Sequence, residues 1–259
     1  MRFALISDVH ANLPALDAVL SQIQRDAFDA VYQLGDLVGY APWPDEVVAR
    51  IRAHDIAGVA GNYDSTVATD YKHCGCRYED PHQEELSHLS YDWTRRHVSA
   101  STKAWLGTLP FRVDVRALGG HVSGPTLTLL HGNQTLNTVY VTEDRKDAFL
   151  SKMGEGVGAQ AGDIVAFGHT HKPWHRMVDN IHFVNTGSVG RPKDGDPRAS
   201  YVALEVGGTV VDVEIVRVEY DVERAARGIL ESTLPHEFAD HLRSGGVPVA
   251  ASDSRGLER

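Results

Sequence analysis

Residues 3–17 read FALISDVHANLPALD: an apolar run, an Asp-x-His, and the opening of a helix. The run at 3–7 is short enough for a buried strand. Asn12 is a good N-cap, and Pro14 falls in the first turn of an amphipathic stretch that continues to about Arg25. Strand, polar turn and helix make the first part of a βαβ-type unit. The turn between them carries Asp8 and His10.

The same grammar recurs along the chain. Further apolar runs lie at 30–34, 56–60, 126–130 and 163–167, with helical patterns at 44–53, 81–97 and 101–109. From 174 the texture changes to alternating strands at 174–178, 181–185, 199–206 and 209–218, with Asp179-Asn180 and Gly207-Gly208 as hairpin turns. A βαβ-like first half and an antiparallel second half fit two mixed sheets packed face to face with helices outside, an α/β (α+β) class fold. Residues 221–243 read as two closing helices. The expected organisation is one domain over 1–243 and a mobile polar tail over 244–259.

Composition narrows the function. The 259 residues suffice for one large core, and the net charge of −10 argues against broad nucleic-acid or anionic-membrane binding. No run approaches a spanning helix, and the N-terminus has no signal-peptide pattern. Cys74 and Cys76, the only cysteines, stand too close in sequence for a good disulfide. A reduced, cytoplasmic protein is expected. Histidine is abundant, with 14 residues.

Several of those histidines stand at organised positions. ALISDVH ends in Asp8 and His10, VYQLGD in Asp36, IAGVAGN in Asn62, LTLLHG in His131, and IVAFGHTH in His169 and His171. The carboxyl ends of strands in an α/β sheet share one edge, where sites form. Each motif alone is weak, since polar strand ends are common and Asn beside Gly is ordinary turn chemistry. Together they supply carboxylate, imidazole and amide oxygen without thiolate, a set suited to Mn, Fe or Zn. Two such cations roughly 3.5–4 Å apart generate a bridging hydroxide and clamp the oxygens of an in-line phosphoryl displacement.

SDVH, GDLVGY, GNYD, LLHG and FGHTH resemble the five ordered motifs of the calcineurin-like metallophosphoesterase superfamily. The likeness covers residues 3 to about 206, and VNTGSVGRPKDGDPRASY (184–201) resembles a segment of its small bacterial and archaeal phosphodiesterase-like branch. The resemblance implies a four-layer αββα sandwich and two divalent metal ions, with Mn preferred over Fe or Zn. It further implies that Asp8, His10 and His171 hold the first ion, that Asp36 bridges, and that Asn62, His131 and His169 hold the second.

One position departs. The family's third motif commonly carries a histidine after the asparagine, near the leaving group; here it is Tyr63. A phenol, with an unperturbed pKa near ~10, is a poor general acid at neutral pH. Tyr63 is therefore expected to favour diesters and activated leaving groups, with Asp64 either orienting its hydroxyl or capping the following turn. Arg191, Lys193 and Arg198 are candidates to meet substrate phosphate, Arg191 foremost, or else to pair with Asp194 and Asp196. His73 is a second substrate-binding candidate, and its segment with Cys74 and Cys76 either forms a lip over the centre or is an ordinary irregular loop.

The expected activity is a phosphodiesterase acting on a small phosphate ester, with a homo-oligomer compatible. A phosphomonoesterase or protein phosphatase and a dinucleoside-polyphosphate hydrolase stay open, as does a metal-stabilised binding module without catalysis. That last reading expects damaged ligand positions, and none is substituted.

Overall fold

The computed structural model describes residues 1–76, 80–116, 124–208 and 210–247. Most of the 244–259 tail lies outside the described residues. The strands are β1 (Arg2–Ile6), β2 (Ala30–Gln33), β3 (Ala57–Gly58), β4 (Val113–Val115), β5 (Leu127–Leu129), β6 (Ile164–Phe167), β7 (Trp174–Val178), β8 (Ile181–Asn185), β9 (Ala199–Gly207) and β10 (Val210–Val218). The helices are α1 (Leu13–Asp26), α2 (Pro44–Ala53), α3 (Asn62–Ala68), α4 (Pro81–His97), α5 (Ala100–Leu106), α6 (Asp147–Val157), α7 (Val222–Leu230) and α8 (Glu237–Ser244).

Two five-stranded sheets result, ordered β10-β9-β1-β2-β3 and β4-β5-β6-β8-β7. Both are mixed. β1 runs parallel to β2 and antiparallel to β9, while β6 runs parallel to β5 and β8. The hairpins β7–β8 and β9–β10 form as their turns predict, but they do not make a separate antiparallel unit. Each extends a sheet begun by parallel strands, which is how one edge comes to hold both sets of strand ends.

Three apolar layers hold this sandwich together. Phe3, Leu5, Leu34, Leu129, Ala166 and Leu204 fill the space between the sheets. Ile6, Leu16, Val48, Tyr91 and Ile229 lie among the residues packing α1, α2, α4 and α7 on the first sheet. Leu150, Met153, Phe167 and Phe183 join α6 to the second. The layers are thus αββα, as the resemblance implied.

Three short or capless elements escape the sequence reading: β4, α3 and α6. α5 ends at Leu106 rather than 109, because the chain turns at Gly107 and Pro110 must reach Ala60, whose N–H donates to its carbonyl at 2.8 Å. Asn12 does cap α1, its Oδ1 accepting from Ala15 N–H at 3.2 Å.

Candidate metal centre

Asp8 and His10 follow β1, Asp36 follows β2, and Asn62 starts α3 just beyond β3. His131 follows β5, and His169 and His171 follow β6. Parallel pairing of β1 with β2 and of β5 with β6 sends these ends to one edge of the sandwich. All seven side chains are buried there, none more than 4% exposed.

The backbone that presents them is unusual. Asp8, His10, Asp36, His169 and His171 all have positive φ, between 48° and 67°. Non-glycine residues rarely occupy this region, and strain of this kind persists where the surroundings over-determine it. Two glycines make the turns possible by close approach. A Cβ on Gly168 would lie 2.1 Å from Ser7 Oγ and 2.4 Å from Asp8 Oδ2; one on Gly61 would lie 2.1 Å from Asp36 Oδ1.

Each carboxylate is held by one oxygen. Asp8 Oδ2 accepts from Ser7 Oγ at 2.6 Å and from His169 N–H at 2.9 Å, and Asp36 Oδ1 accepts from Tyr63 N–H at 2.9 Å. The other oxygens turn inward. Asp8 Oδ1 lies 3.3 Å from His171 Nε2, while Asp36 Oδ2 lies 3.4 Å from His131 Nε2 and 3.8 Å from His10 Nε2. Two tight groups follow, Asp8–His10–His171 and Asp36–His131–His169, with the donor atoms of each within 4.8 Å of one another.

The imidazoles are oriented from behind. Nδ1 of His10 donates to the Val38 carbonyl at 3.1 Å, that of His171 to Arg191 at 2.5 Å, and that of His131 to Leu34 at 2.7 Å. A carbonyl only accepts, so each Nδ1 carries the proton and each Nε2 faces the centre. Burial holds His10 down at about 3 and His171 well below 6.5, so both are neutral. Their Nε2 lone pairs nevertheless face each other across 3.1 Å.

Asp8 Oδ1 and His169 Nε2 are buried with no hydrogen-bond partner. Facing lone pairs and orphaned acceptors are what a divalent cation relieves, and the oxygen/nitrogen donor set fits one in each group.

The second group handles its charge differently. Against burial, which would lower it, the Asp36 carboxylate raises His131 to about 10. Burial alone would raise Asp36, but His131 keeps it well below the usual carboxylate range. Asn62 completes this side: its amide nitrogen donates to the Cys74 carbonyl at 3.2 Å and Cys76 Sγ at 3.1 Å, which turns Oδ1 to 3.2 Å from His131 Nε2.

Other expected residues fall out unevenly. The Tyr63 ring lines the cleft, edge-on to His10 at 5.7 Å, but its hydroxyl points to α4, 3.4 Å from Ser90 Oγ and from the Ser87 carbonyl. Asp64 does not orient that hydroxyl. Its two oxygens accept from Leu37 N–H at 3.0 Å and Gly61 N–H at 2.9 Å, capping α3 and strapping it to the Asp36 turn. His73 accepts from Gly75 N–H through Nδ1 and does not line the cleft. Cys76 does line it, so the lip reading of that loop holds for the cysteine and not for the histidine. Arg198 pairs with Asp196 at 2.7 Å and Arg217 with Asp194, away from the cleft.

Sequence reasoning missed Tyr40 and Tyr140. Tyr140 stacks on His169 with ring centroids 4.2 Å apart, and Tyr40 meets His10 edge-on at 5.0 Å. With Lys193 they close the cleft to a space of ≈ 10 Å³, about one water. A hollow of ≈ 680 Å³ between α4 and the 233–237 segment is far larger but, among the described residues, gathers no such cluster.

The sequence model of the calcineurin-like phosphoesterase superfamily domain matches residues 1–209. An uncharacterized protein of Methanocaldococcus jannaschii is 29% identical over 259 residues, spanning 93% of this chain and 97% of its own length. The phosphodiesterase YfcE of Escherichia coli K12 is 26% identical over 216 residues, 79% of this chain and 88% of that one. Among solved structures, a metallophosphoesterase from Sphaerobacter thermophilus matches with a TM-score of 0.73 at 27% identity, covering 95% of this chain and 99% of its own. A hypothetical protein from Pyrococcus horikoshii OT3 shares the fold, with a TM-score of 0.79 at 20% identity and coverage of 96% and 99%.

Proposed function

The chain belongs to the calcineurin-like phosphoesterase superfamily, whose members hydrolyse phosphoesters with divalent metals, and we propose that it is a phosphodiesterase with a two-metal centre. The observation that carries this reading is the pair of buried donor groups, which hold six of the seven expected ligands and include two inward atoms without hydrogen-bond partners, with the Asn62 amide oxygen beside the second group. Asp8, His10 and His171 would hold one cation, and Asn62, His131 and His169 the other. Asp36 suits the bridge because its Oδ2 faces both His10 and His131. When bound, the ions would supply an activated water and neutralise the non-bridging oxygens of phosphate. The donor set accommodates Mn first, with Fe and Zn as competitors.

The chain's own residues do the positioning. Ser7 and the His169 N–H fix Asp8, and the first turn of α3 fixes Asp36. The carbonyls of Val38, Arg191 and Leu34 orient three imidazoles with Nε2 toward the centre, so that His10 and His171 offer lone pairs there and His131 would do so once its Nε2 proton is displaced. Tyr40, Tyr63 and Tyr140 wall the cleft with aromatic surface and limit access of bulk water.

What favours diesters is the lack of an acid at the third motif. Tyr63 brings a ring to the cleft while its hydroxyl engages Ser87 and Ser90, so the third-motif position offers no imidazole to protonate an alkoxide. Esters with stable leaving groups need that help least. The name of the YfcE relative, a phosphodiesterase, supports the same direction. The Mn-loaded chain should hydrolyse bis(p-nitrophenyl) phosphate with at least about tenfold higher kcat/KM than glycerol phosphate, and Asp36→Asn should lower the diester rate about a thousandfold. Monoester hydrolysis as fast as diester hydrolysis would sink the diesterase reading. Hydrolysis indifferent to Asp36→Asn would point to a contaminant, and a metal-loaded chain with no hydrolysis would favour a binding module.

A further inference from the structure

The loop from Gly187 to Arg198 ends in two very different ways. At its outer end, Asp194 and Asp196 neutralise Arg217 and Arg198. At its inner end stand Arg191 and Lys193, and among the described residues neither forms an ion pair. Arg191 is only 5% exposed, and its Nε is buried without a hydrogen-bond partner. Its guanidinium lies over the Tyr40 ring at 4.0 Å and near Phe238 of α8 at 5.8 Å. Lys193 lines the metal cleft beside His10, Asp36 and His171.

Buried cations are ordinarily paired, because desolvating an unpaired charge is costly. Stacking on Tyr40 offsets only part of that cost for Arg191 and leaves its Nε–H without an acceptor. The loop is also held in place. His171 Nδ1 donates to the Arg191 carbonyl, Lys193 N–H donates to the His171 carbonyl at 3.3 Å, and His241 of α8 donates to the Pro192 carbonyl at 3.1 Å. Gly195 N–H reaches the Gly245 carbonyl at 2.9 Å. Two basic side chains are thus fixed next to a metal centre without an ion-pair partner among the described residues, and the nearest carboxylates, Asp8 and Asp36, are those expected to hold the metals.

We propose that Arg191 and Lys193 form an anion subsite at the rim of the centre, which takes a second phosphate adjacent to the scissile one. The substrate class is then a phosphate ester or anhydride carrying two neighbouring phosphates. The inference rests on the two-metal phosphoesterase reading: two divalent cations against the carboxylates of Asp8 and Asp36 leave the cleft net positive, and two further cations exceed what one diester monoanion neutralises. The planar fork of Arg191 suits phosphate oxygens, and the Lys193 ammonium acts as a point charge.

The test is calorimetric titration of the full-length chain, Mn-loaded and cleared of excess metal, with inorganic pyrophosphate and with inorganic phosphate. Lys193→Gln should weaken pyrophosphate binding tenfold or more and phosphate binding less, with unchanged Mn content. Arg198→Gln, which removes a loop cation already paired with Asp196, should change neither. Equal weakening by both substitutions would reduce the effect to the general field of the loop and overturn the subsite, as would a Lys193→Gln chain that binds pyrophosphate like wild type. Hydrolysis plays no part in this readout. Lys193-dependent pyrophosphate binding in a chain that cleaves no ester would keep the subsite and sink the enzyme reading; a diesterase lacking that dependence does the reverse.

Discussion

The two donor groups of the centre lie on one sheet edge, yet they meet the problem of buried charge in opposite ways. The Asp8–His10–His171 group is built wholly from residues with left-handed backbone, and its two imidazoles stay neutral with lone pairs opposed at 3.1 Å. In the Asp36–Asn62–His131–His169 group, His131 carries a proton and answers the Asp36 carboxylate, while His169 stays neutral, its pKa brought to about 3 by burial and the His131 charge. The first group therefore has no protonated imidazole, and the only proton a cation must displace there is that of Asp8, raised to about 7 by burial. The second can satisfy itself, so a cation entering it must displace a proton.

That difference has a measurable sign. Because His131 titrates at about 10, metal affinity at the second group should rise about tenfold per pH unit from pH 7 to 9, a hundredfold in all. The first group should level off above about pH 7, where Asp8, raised to about 7 by burial, has lost its proton. Chelator competition across that range would show one pH-dependent and one pH-independent site. Two sites with the same slope would break the contrast.

A smaller effect sharpens it from the other side. Ser7→Ala removes the hydroxyl that fixes Asp8 Oδ2 at 2.6 Å, and its only link toward the second group is a long 3.4 Å contact with the Leu34 carbonyl, which His131 Nδ1 holds at 2.7 Å. Loss of such an outer support should weaken the first site about 10–100-fold and leave the second unchanged. Equal weakening of both in the same competition experiment would mean that the groups act as one rigid unit.

The parts of this site legible in sequence were those written locally. Asp8, Asp36, Asn62, His131, His169 and His171 each end an apolar run, so strand period and sheet topology alone bring them to one edge. Glycines stand directly before Asn62 and His169 in the sequence, where they read as turn chemistry; only the structure shows that a Cβ at 61 or 168 would strike Asp36 or Asp8. What stayed hidden depends on distant loops. Tyr140 reaches His169 from a segment whose composition says little about direction, and although the sequence offered Arg191, Lys193 and Arg198 together, only the structure separates Lys193, which lines the cleft, from Arg198, which pairs with Asp196. Tyr63 shows the limit most clearly: the sequence marked the position, but only packing against Ser87 and Ser90 of α4 shows where its hydroxyl goes. α3 was missed because it has seven residues and a glycine N-cap with no side chain to announce it. The same shortness explains β4, with three residues.

The central claim is a binuclear centre, and the most direct measurement is the number of Mn ions held per chain at saturation, read by equilibrium dialysis with elemental analysis. Two ions per chain are expected, falling to one or fewer in Asp36→Asn. A wild-type chain that saturates at a single ion, or takes up none, would contradict the account.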